Sequence, residues 1–327
     1  VQDRASAAGP SLLISPACAG TAGTAHVNES VTTAKTWTRA AGPHRVTGAV
    51  SVTGATGRIT IAPGAVVCFE PNAGISAQEG GRVYIRGRDT AQVVLTARDP
   101  ARGWAGIWLF GAPAGPSYVT NARLEHVSAE GTAVFSEDAH AVYVDSAVIR
   151  QSGQAVAFYA PNSRLSRSRV DTTIHRGRVA VELGLNTRFE STTVRNAAGV
   201  GVFVLDAGVL LGGGRIEGSG GIGLQVRTSS PLNAYSKAVR VTGGRSYGAV
   251  LGAAAAARLY PTPALQDSLL GNVRDTLVIL GEPLRSALTL GARIPVRAAN
   301  NDLVADSAGV LTLQPGARIV FDEDVWM

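Results

Sequence analysis

The apolar residues of this chain alternate with polar ones in short stretches, and from about residue 120 these stretches repeat. Four of them read VYVDSAVIR, RLSRSRVDT, RFESTTVRN and LLGGGRIEG. Their first apolar positions follow in steps of 22, 24 and 22 residues, at Tyr143, Leu165, Phe189 and Leu211. A second set lies five residues further on with the same steps, at Val148, Val170, Val194 and Ile216. Alternation with period two predicts short strands, and a fixed period of this length predicts stacked repeat units.

The repeat favours one architecture. Each unit holds two or three short apolar stretches separated by Gly, Asn and Ser, and no stretch has a convincing helical period. We therefore predict an all-β protein, a single-stranded right-handed parallel β-helix (β-solenoid) of about 9–11 rungs with roughly 22 residues per rung. Successive rungs would stack about 4.8 Å apart, so that each buries its Val and Ile side chains against those of the next.

The two ends of the chain share a motif. ITIAPGAVVCFEPN at 59–72 is similar to LTLQPGARIVFDED at 311–324, and the Pro-Gly pair in each predicts a corner. The motif would make the last segment either the start of a second β-helix, in a chain that continues further, or a docking cap. We divide the chain into an extended leader at 1–30, a β-helix at 31–258, an irregular last rung and connection at 259–285, and a repeat of the opening motif at 286–327.

The opening third of the chain carries further elements in a recognisable order. Trp37 precedes the 59–64 segment and Phe69, then come a Gly-bounded strand at 81–87 and a W-x-G-I strand at 104–107. This order resembles the opening rungs of secreted bacterial right-handed parallel β-helix repeat proteins, a non-enzymatic-looking branch of the pectate-lyase-like superfold. The resemblance covers roughly residues 30–110. It implies the fold and an exported or cell-surface location, in a family whose members are mostly of unknown role.

Composition bears on location and partners. The formal net charge is +6 and is carried almost entirely by Arg, since Lys occurs only at Lys35 and Lys237. A basic balance favours an acidic partner, although a genomic preference for Arg over Lys is the simpler explanation. The only Met is Met327, so we expect that an upstream segment such as a signal peptide has been removed. No apolar run reaches the length of about 18 residues that a transmembrane helix needs.

The chain has two cysteines, Cys18 and Cys68. In an exported protein, an isolated pair is most simply one disulfide, which here would tie the leader to the first strong strand. Two free thiols are the alternative. No CxxC or HxxxH spacing accompanies them, so we predict no metal site, and no cofactor motif is present.

Known enzymes on this fold are mostly lyases and hydrolases of acidic polysaccharides, which makes a catalytic site worth testing. The polygalacturonase-type elements N-T-D, D-D, G-H-G and R-I-K are absent. Glu137-Asp138 and the acidic run at 322–324 are local, and they fit solvated corners better than a calcium site.

Stacked rungs would place Ile149, Asp171, Arg195 and Glu217 in one outward column. Asp171 and Glu217 would then be roughly 9–10 Å apart, near the carboxylate separation of inverting glycosidases. Because Arg195 lies between them, a ladder of ion pairs is the simpler interpretation. His175 lies in the long corner TTIHRGRVAVE, where it would be a general base under the catalytic alternative and an idle loop residue otherwise.

Arginines concentrate in two neighbouring rungs and predict a basic belt that binds an acidic polysaccharide or an envelope component. Nucleic acid is not expected as a partner, because aromatic residues are not interleaved with the arginines in this stretch. Trp104 and Trp108 are four residues apart, so we expect them to share one face of a strand and to pack structurally. The predicted belt consists of Arg164, Arg167, Arg169, Arg176, Arg178, Arg188 and Arg195.

The sequence thus favours an exported extracellular or cell-surface β-helix that acts as a structural or adhesive binding module. It would bind acidic glycans or assemble with other copies through the unpaired strand groups at its ends. The alternative is a polysaccharide lyase or glycoside hydrolase acting on acidic polysaccharide through Asp171, Glu217 and His175.

Overall fold

The chain is wound into a solenoid of short parallel strands. The computed structural model describes residues 15–19, 23–227, 231–299 and 304–322. Strands of successive turns pair in parallel, as β-sheets of 16 and 13 strands. The prediction of an all-β, single-stranded parallel β-helix is confirmed. Each early turn crosses three faces, which we number 1, 2 and 3 in the order in which the chain passes them.

Faces 1 and 2 belong to the larger sheet. Face 1 contains β3 (Ala34–Trp37), β6 (Arg58–Ile61), β9 (Arg82–Arg86), β12 (Ser117–Thr120), β15 (Val142–Asp145) and β18 (Arg164–Ser166). Face 2 contains β1 (Ala25–Val27), β4 (His44–Thr47), β7 (Val66–Phe69), β10 (Val93–Ala97), β13 (Ala122–Glu125), β16 (Val148–Ser152), β19 (Arg169–Thr173) and β25 (Arg240–Thr242). Two longer strands, β21 (Arg188–Arg195) and β23 (Leu210–Glu217), cross both faces.

Face 3 is the 13-stranded sheet. It contains β2 (Ser30–Val31), β5 (Ala49–Thr53), β8 (Gly74–Gln78), β11 (Trp104–Leu109), β14 (Val127–Ser136), β17 (Gln154–Phe158), β20 (Val179–Leu183), β22 (Val200–Val204), β24 (Leu224–Val226), β26 (Tyr247–Gly252), β27 (Arg274–Leu280), β29 (Val296–Ala299) and β31 (Ile319–Phe321). The remaining elements are a two-stranded sheet of β28 (Ala287–Leu290) and β30 (Val310–Leu313), the helices α1 (Ala253–Leu259) and α2 (Pro263–Gln266), and 3-10 turns at Pro16–Cys18, Arg39–Ala41 and Asp267–Leu269.

The interior is a continuous stack of apolar side chains. One inward column runs through the fully buried Val144, Leu165, Phe189 and Leu211, and a parallel column runs through Ile149, Val170, Val194 and Ile216. Six of the eight predicted positions are therefore correct. Tyr143 and Val148 are each shifted by one residue, because they pair with Arg164 and Arg169 and so point outward. Side chains on a strand alternate between faces, so a shift of one residue turns a predicted core residue to the surface.

The solenoid is longer than predicted. Face 3 has one strand per turn, so the chain makes twelve turns between the first and the last of its 13 strands, against the predicted 9–11 rungs. The segment that we assigned to the leader contains β1 and the first residue of β2, and these strands pair with β4 and β5 of the next turn. At the other end, β29 and β31 extend the face-3 sheet from β27, so the described part of 286–327 continues the same solenoid.

The two copies of the end motif form the same local unit in different places. In each, two strands flank a corner whose glycine, Gly64 or Gly316, has a positive φ. The first copy lies on faces 1 and 2, whereas β31 of the second copy lies on face 3. Between them, α1 lies at the end of the segment that we predicted as β-helix, and α2 lies in the predicted connection at 259–285. The buried Tyr260 between the two helices donates its hydroxyl to the Val239 carbonyl at 2.7 Å.

Cys18 and Cys68 form a disulfide, with 5.9 Å between their Cα atoms. It fastens the 3-10 turn Pro16–Cys18 to β7 on face 2. The Ser15 backbone N–H also donates to the Arg98 carbonyl at 3.1 Å, next to β10 of the following turn. Within the described residues, no helix has both the length and the apolar character to cross a bilayer.

Candidate functional site

A stripe of tyrosine and arginine side chains runs along face 1. Tyr84, Tyr118, Tyr143, Arg164 and Arg188 occupy the same outward position on β9, β12, β15, β18 and β21, and each is paired with the next. Their neighbours along each strand point inward, which is why these polar and aromatic groups must face solvent. We name this set the Tyr–Arg stripe.

The stripe is ordered by contacts among its own side chains. The rings of Tyr84 and Tyr118 have centroids 5.4 Å apart, those of Tyr118 and Tyr143 are 5.6 Å apart, and both pairs meet edge to face. The Arg164 guanidinium lies 5.0 Å from the Tyr143 ring centroid, and Arg86 lies 4.7 Å from that of Tyr84. Cation–π contacts of this kind position a guanidinium group without neutralising its charge.

The arginines at this stripe lack acidic partners. Arg164 and Arg188 in the stripe, and Arg58, Arg82 and Arg86 beside Tyr84, have no carboxylate oxygen within 4.0 Å among the described residues. Their charge is therefore available to a ligand, and the donor groups of arginine fit carboxylate, sulfate and phosphate oxygens in pairs.

Two clefts flank the Arg164 side chain. One, of about 490 Å³, lies between the corner at 113–116 and the side chains of Tyr143, Asn162 and Arg188. The other, of about 370 Å³, is lined by Asp145, Arg167, Glu190 and Ser191. A groove with free guanidinium groups and aromatic edges therefore accompanies the stripe.

The other predicted belt arginines lie elsewhere and are mostly ion-paired. Arg167 forms a bidentate pair with Asp145, Arg169 pairs with Asp171, Arg178 pairs with Glu130, and Arg195 pairs with Glu217. Arg176 is exposed in the corner between β19 and β20. The seven arginines are thus divided among faces 1 and 2 and the corners that follow them.

The Asp145 carboxyl shows how strongly Arg167 is engaged. Burial acts to raise the pKa of Asp145, but hydrogen bonds from Arg167 and Ser166 outweigh burial and hold that pKa below its usual value. Arg167 is therefore already ion-paired with Asp145, unlike Arg164 and Arg188.

On face 2 the outward groups form a ladder of alternating charge. Glu125, Arg150, Asp171, Arg195 and Glu217 are paired in this order from β13 to β23. Arg150 contacts Glu125 at 2.5 Å, and Arg195 contacts Glu217 at 2.7 Å. Arg150 occupies the position in this ladder that we expected for Ile149, because of the same one-residue shift that affected Val148.

The positions of the three candidate catalytic residues give little support to the catalytic alternative. Arg195 separates Asp171 from Glu217 in the column, and both carboxylates contact guanidinium groups. His175 lies apart from them, with its Nε2 3.5 Å from Glu130 at the edge of face 3. Its role as a general base stays a prediction.

The two tryptophans of β11 do not share a face. Trp104 is fully buried, stacks on Phe69 with centroids 4.2 Å apart, and donates its Nε1–H to the Glu125 carbonyl at 2.8 Å. Trp108 is half-buried on the outer side of face 3. The expectation of a shared face was wrong for Trp108, because the register against β14 shifts on both sides of Gly106.

The Tyr–Arg stripe was not visible in the sequence. Tyr84, Tyr118 and Tyr143 are 34 and 25 residues apart, since corners of different length separate their strands. The sequence argument against nucleic acid assumed that aromatic and basic residues are not interleaved, and on face 1 they lie side by side.

No group of three metal-ligating side chains occurs in the described part of the chain. Glu137 and Asp138 are exposed, Asp322 pairs with Arg297 at 2.6 Å, and 323–324 lie outside the described residues.

No protein-family model matches the sequence, and no curated protein sequence matches it. Among solved structures, a double mutant of the periplasmic alginate epimerase AlgG aligns over 87% of this chain and 77% of that chain, with 7% identity and a TM-score of 0.31. A single mutant of the same epimerase aligns over 85% and 77%, with 11% identity and a TM-score of 0.30. A hyper-glycosylated TibA fragment aligns over 93% of this chain and 100% of its own, with 10% identity and a TM-score of 0.22. Sequence identities and TM-scores this low support no conclusion about the activity or ligand of this chain.

Proposed function

We propose that this protein is an exported, extracellular or cell-surface β-helix module that binds acidic polysaccharide along the Tyr–Arg stripe without cleaving it. The observation that carries the proposal is the row of guanidinium groups on face 1 that have no carboxylate partner among the described residues. On face 2, by contrast, arginines and carboxylates alternate along the ladder and contact one another.

The chemistry of the stripe fits a uronate or sulfated polymer. A planar guanidinium group binds a carboxylate or sulfate through two parallel hydrogen bonds. The tyrosine rings present edges and faces that a sugar ring can contact. Five rungs at about 4.8 Å spacing give a surface roughly 19 Å long from Tyr84 to Arg188, long enough for several sugar units.

Export is supported by the Cys18–Cys68 disulfide, since disulfides persist in oxidising compartments. Self-association through the solenoid ends stays a second part of the proposal. Sedimentation velocity over a range of protein concentrations tests it, because association through the ends would make the sedimentation coefficient rise with concentration.

The test of the binding proposal is titration calorimetry with polygalacturonate oligomers and with uncharged dextran of equal length. We expect the uronate alone to bind, with an affinity that falls as salt is raised. The double variant Arg164→Gln/Arg188→Gln should lose about tenfold or more in affinity, because two charge-assisted contacts are removed. The matched control is Arg215→Gln/Arg240→Gln, which removes the same charge from face 2, where both arginines are exposed.

Three outcomes would contradict the proposal. Equal losses in the two double variants would show that only net charge matters. Stronger binding of single-stranded DNA than of uronate would assign the stripe to nucleic acid. Shortened or unsaturated oligomers in the reaction mixture, lost in Asp171→Asn or Glu217→Gln, would establish the lyase or hydrolase alternative.

A further inference from the structure

A separate cleft lies on face 3, on the side of the molecule that the stripe does not use. It has a volume of about 400 Å³, within the range of small-molecule sites. One wall is an insertion in β14. The pairing advances two residues on β11, from Trp104 to Gly106, while it advances five on β14, from Val127 to Thr132. The extra residues carry the exposed Glu130.

The other wall is the corner between β19 and β20. Arg178 from this corner contacts Glu130 at 3.3 Å, and His175 contacts the same carboxylate at 3.5 Å. The β14 insertion and this corner are thereby joined above the sheet by two residues that are 48 positions apart in sequence. The cleft is therefore bounded by side chains on both sides.

An aromatic platform forms one part of the cleft lining. Trp108 and Phe135 are paired on neighbouring strands, with ring centroids 4.8 Å apart, and Phe135 and Tyr159 are 5.6 Å apart. All three rings are only half-buried, although large aromatic side chains normally bury most of their surface. All three side chains line the cleft.

Beside the platform lies a fixed row of hydrogen-bonding groups. The Thr132 hydroxyl donates to the Gln154 side-chain carbonyl at 3.1 Å, and the Gln154 amide donates to Glu182 Oε2 at 3.1 Å. Thr132 and Gln154 are buried, so this row has one defined orientation. Burial, together with the charge and hydrogen bonding of Glu182, raises the pKa of the Tyr159 phenol, so its hydroxyl stays protonated beside this carboxylate.

The charged side chains that line the face-3 cleft determine which kind of ligand it can bind. Arg178 is paired with Glu130, and no cationic group of the described residues lies within 4.0 Å of the Glu182 carboxylate beside the rings. An anionic sugar would be repelled by it, whereas neutral hydroxyl groups can donate to it. An apolar ring face next to a row of carbonyl, amide and carboxylate groups matches a pyranose, which has C–H groups on its faces and hydroxyls at its edge.

We propose that the face-3 cleft is a binding site for a neutral hexopyranose unit of a glycan, which stacks on Trp108 and Phe135 and hydrogen-bonds to Gln154 and Glu182. The site is separate from the Tyr–Arg stripe in position, and it favours neutral sugars where the stripe favours anionic ones. A chain with both sites could bind two different glycans at once.

The experiment is calorimetry of the full chain with maltohexaose, cellohexaose and mannohexaose. We expect at least one neutral hexaose to bind the wild type and the Arg164→Gln/Arg188→Gln variant with equal affinity. Trp108→Ala should weaken that binding by about tenfold or more because a stacking surface is lost. Trp108→Phe, which keeps a ring, should retain most of the affinity and serves as the folding control.

Absence of binding by all three hexaoses would overturn the proposal. Unchanged affinity in Trp108→Ala would also overturn it, and loss of neutral binding in the stripe variant would move the site to face 1. The matched control for a general aromatic effect is Tyr118→Ala, which removes a half-buried ring from the stripe and should not affect neutral hexaoses.

Discussion

Single residues at the corners join one rung to the next. The Ser117 and Ser163 hydroxyl oxygens are buried and accept the backbone N–H groups of Val83 at 3.0 Å and Val142 at 3.1 Å. A buried donor without an acceptor costs about 1–3 kcal/mol, so these serine hydroxyls stabilise the beginning of β9 and of β15.

His140 extends one of these corner networks. It is fully buried, its Nδ1 lies 3.0 Å from the Phe110 carbonyl, and its Nε2 lies 2.8 Å from the Ser117 hydroxyl. A neutral imidazole satisfies both contacts by donating from Nδ1 and accepting at Nε2. Burial lowers the pKa of His140, although the hydrogen bond to Phe110 acts in the opposite direction.

We predict that protonation of His140 destabilises the fold. Because the folded-state pKa lies below the unfolded value of about 6.5, the unfolded chain binds the proton first. The stabilisation is present above that pH and is lost as the pH falls below it. Urea unfolding at several pH values between about 7.5 and 5 should show this loss, and it should be smaller in His140→Gln. The control is His175→Gln, which removes a histidine at the surface. An identical pH dependence in His140→Gln and the wild type would show that His140 makes no contribution.

At the scale of elements, the register shift of β11 decides what face 3 presents. Gly106 has a φ of +106°, and a Cβ at this position would lie 1.9 Å from the Thr132 carbonyl oxygen. The shift turns Trp104 into the core and leaves Trp108 outside. One glycine thus separates a structural tryptophan from a surface one.

Gly106→Ala should therefore destabilise the protein, by about 1–3 kcal/mol from backbone strain and further from the clash. Gly115→Ala is the matched control, because a Cβ there meets nothing within 4 Å. Urea unfolding measures both variants. Equal stabilities would mean that the bulge is not required for the fold, and weaker hexaose binding in Gly106→Ala would link the bulge to the face-3 cleft.

At the scale of the whole molecule, a solenoid is held together by contacts between neighbouring turns. The Cys18–Cys68 disulfide bridges 50 residues of chain and fastens the 3-10 turn to β7, the third strand of face 2. Its effect should be concentrated at that end, since distant turns share no contacts with it.

We predict that Cys18→Ser/Cys68→Ser lowers stability, by up to about 4 kcal/mol if chain entropy dominates. Hydrogen exchange should become faster in β1 and β4 and stay unchanged in β20 and β22. Wild-type protein in reductant is the matched comparison and should behave like the variant. Uniformly faster exchange along the chain would show that the solenoid unfolds as one unit, and alkylation of both thiols in the native protein would exclude the disulfide.

The sequence by itself determined the parallel solenoid, because strand alternation and a repeated corner are local properties. Leu165, Phe189 and Leu211 could be assigned to one core column from their spacing alone, and the column of Asp171, Arg195 and Glu217 followed from it. Where three apolar residues are adjacent, as in Val142–Val144, alternation leaves two choices, and the bulkier Tyr143 was assigned to the wrong side.

Only the tertiary structure decided which side chains meet on the outside. The corners differ in length, so the step between paired positions on face 3 is 22 residues from Ser136 to Phe158 but 32 from Ala77 to Leu109. Residues such as Tyr84, Tyr118 and Arg164 therefore have no common period, although they share one outward position on neighbouring strands. Hydrophobic burial fixes the inner columns strongly, whereas the outer ones are free to combine any residues that the corners bring into line.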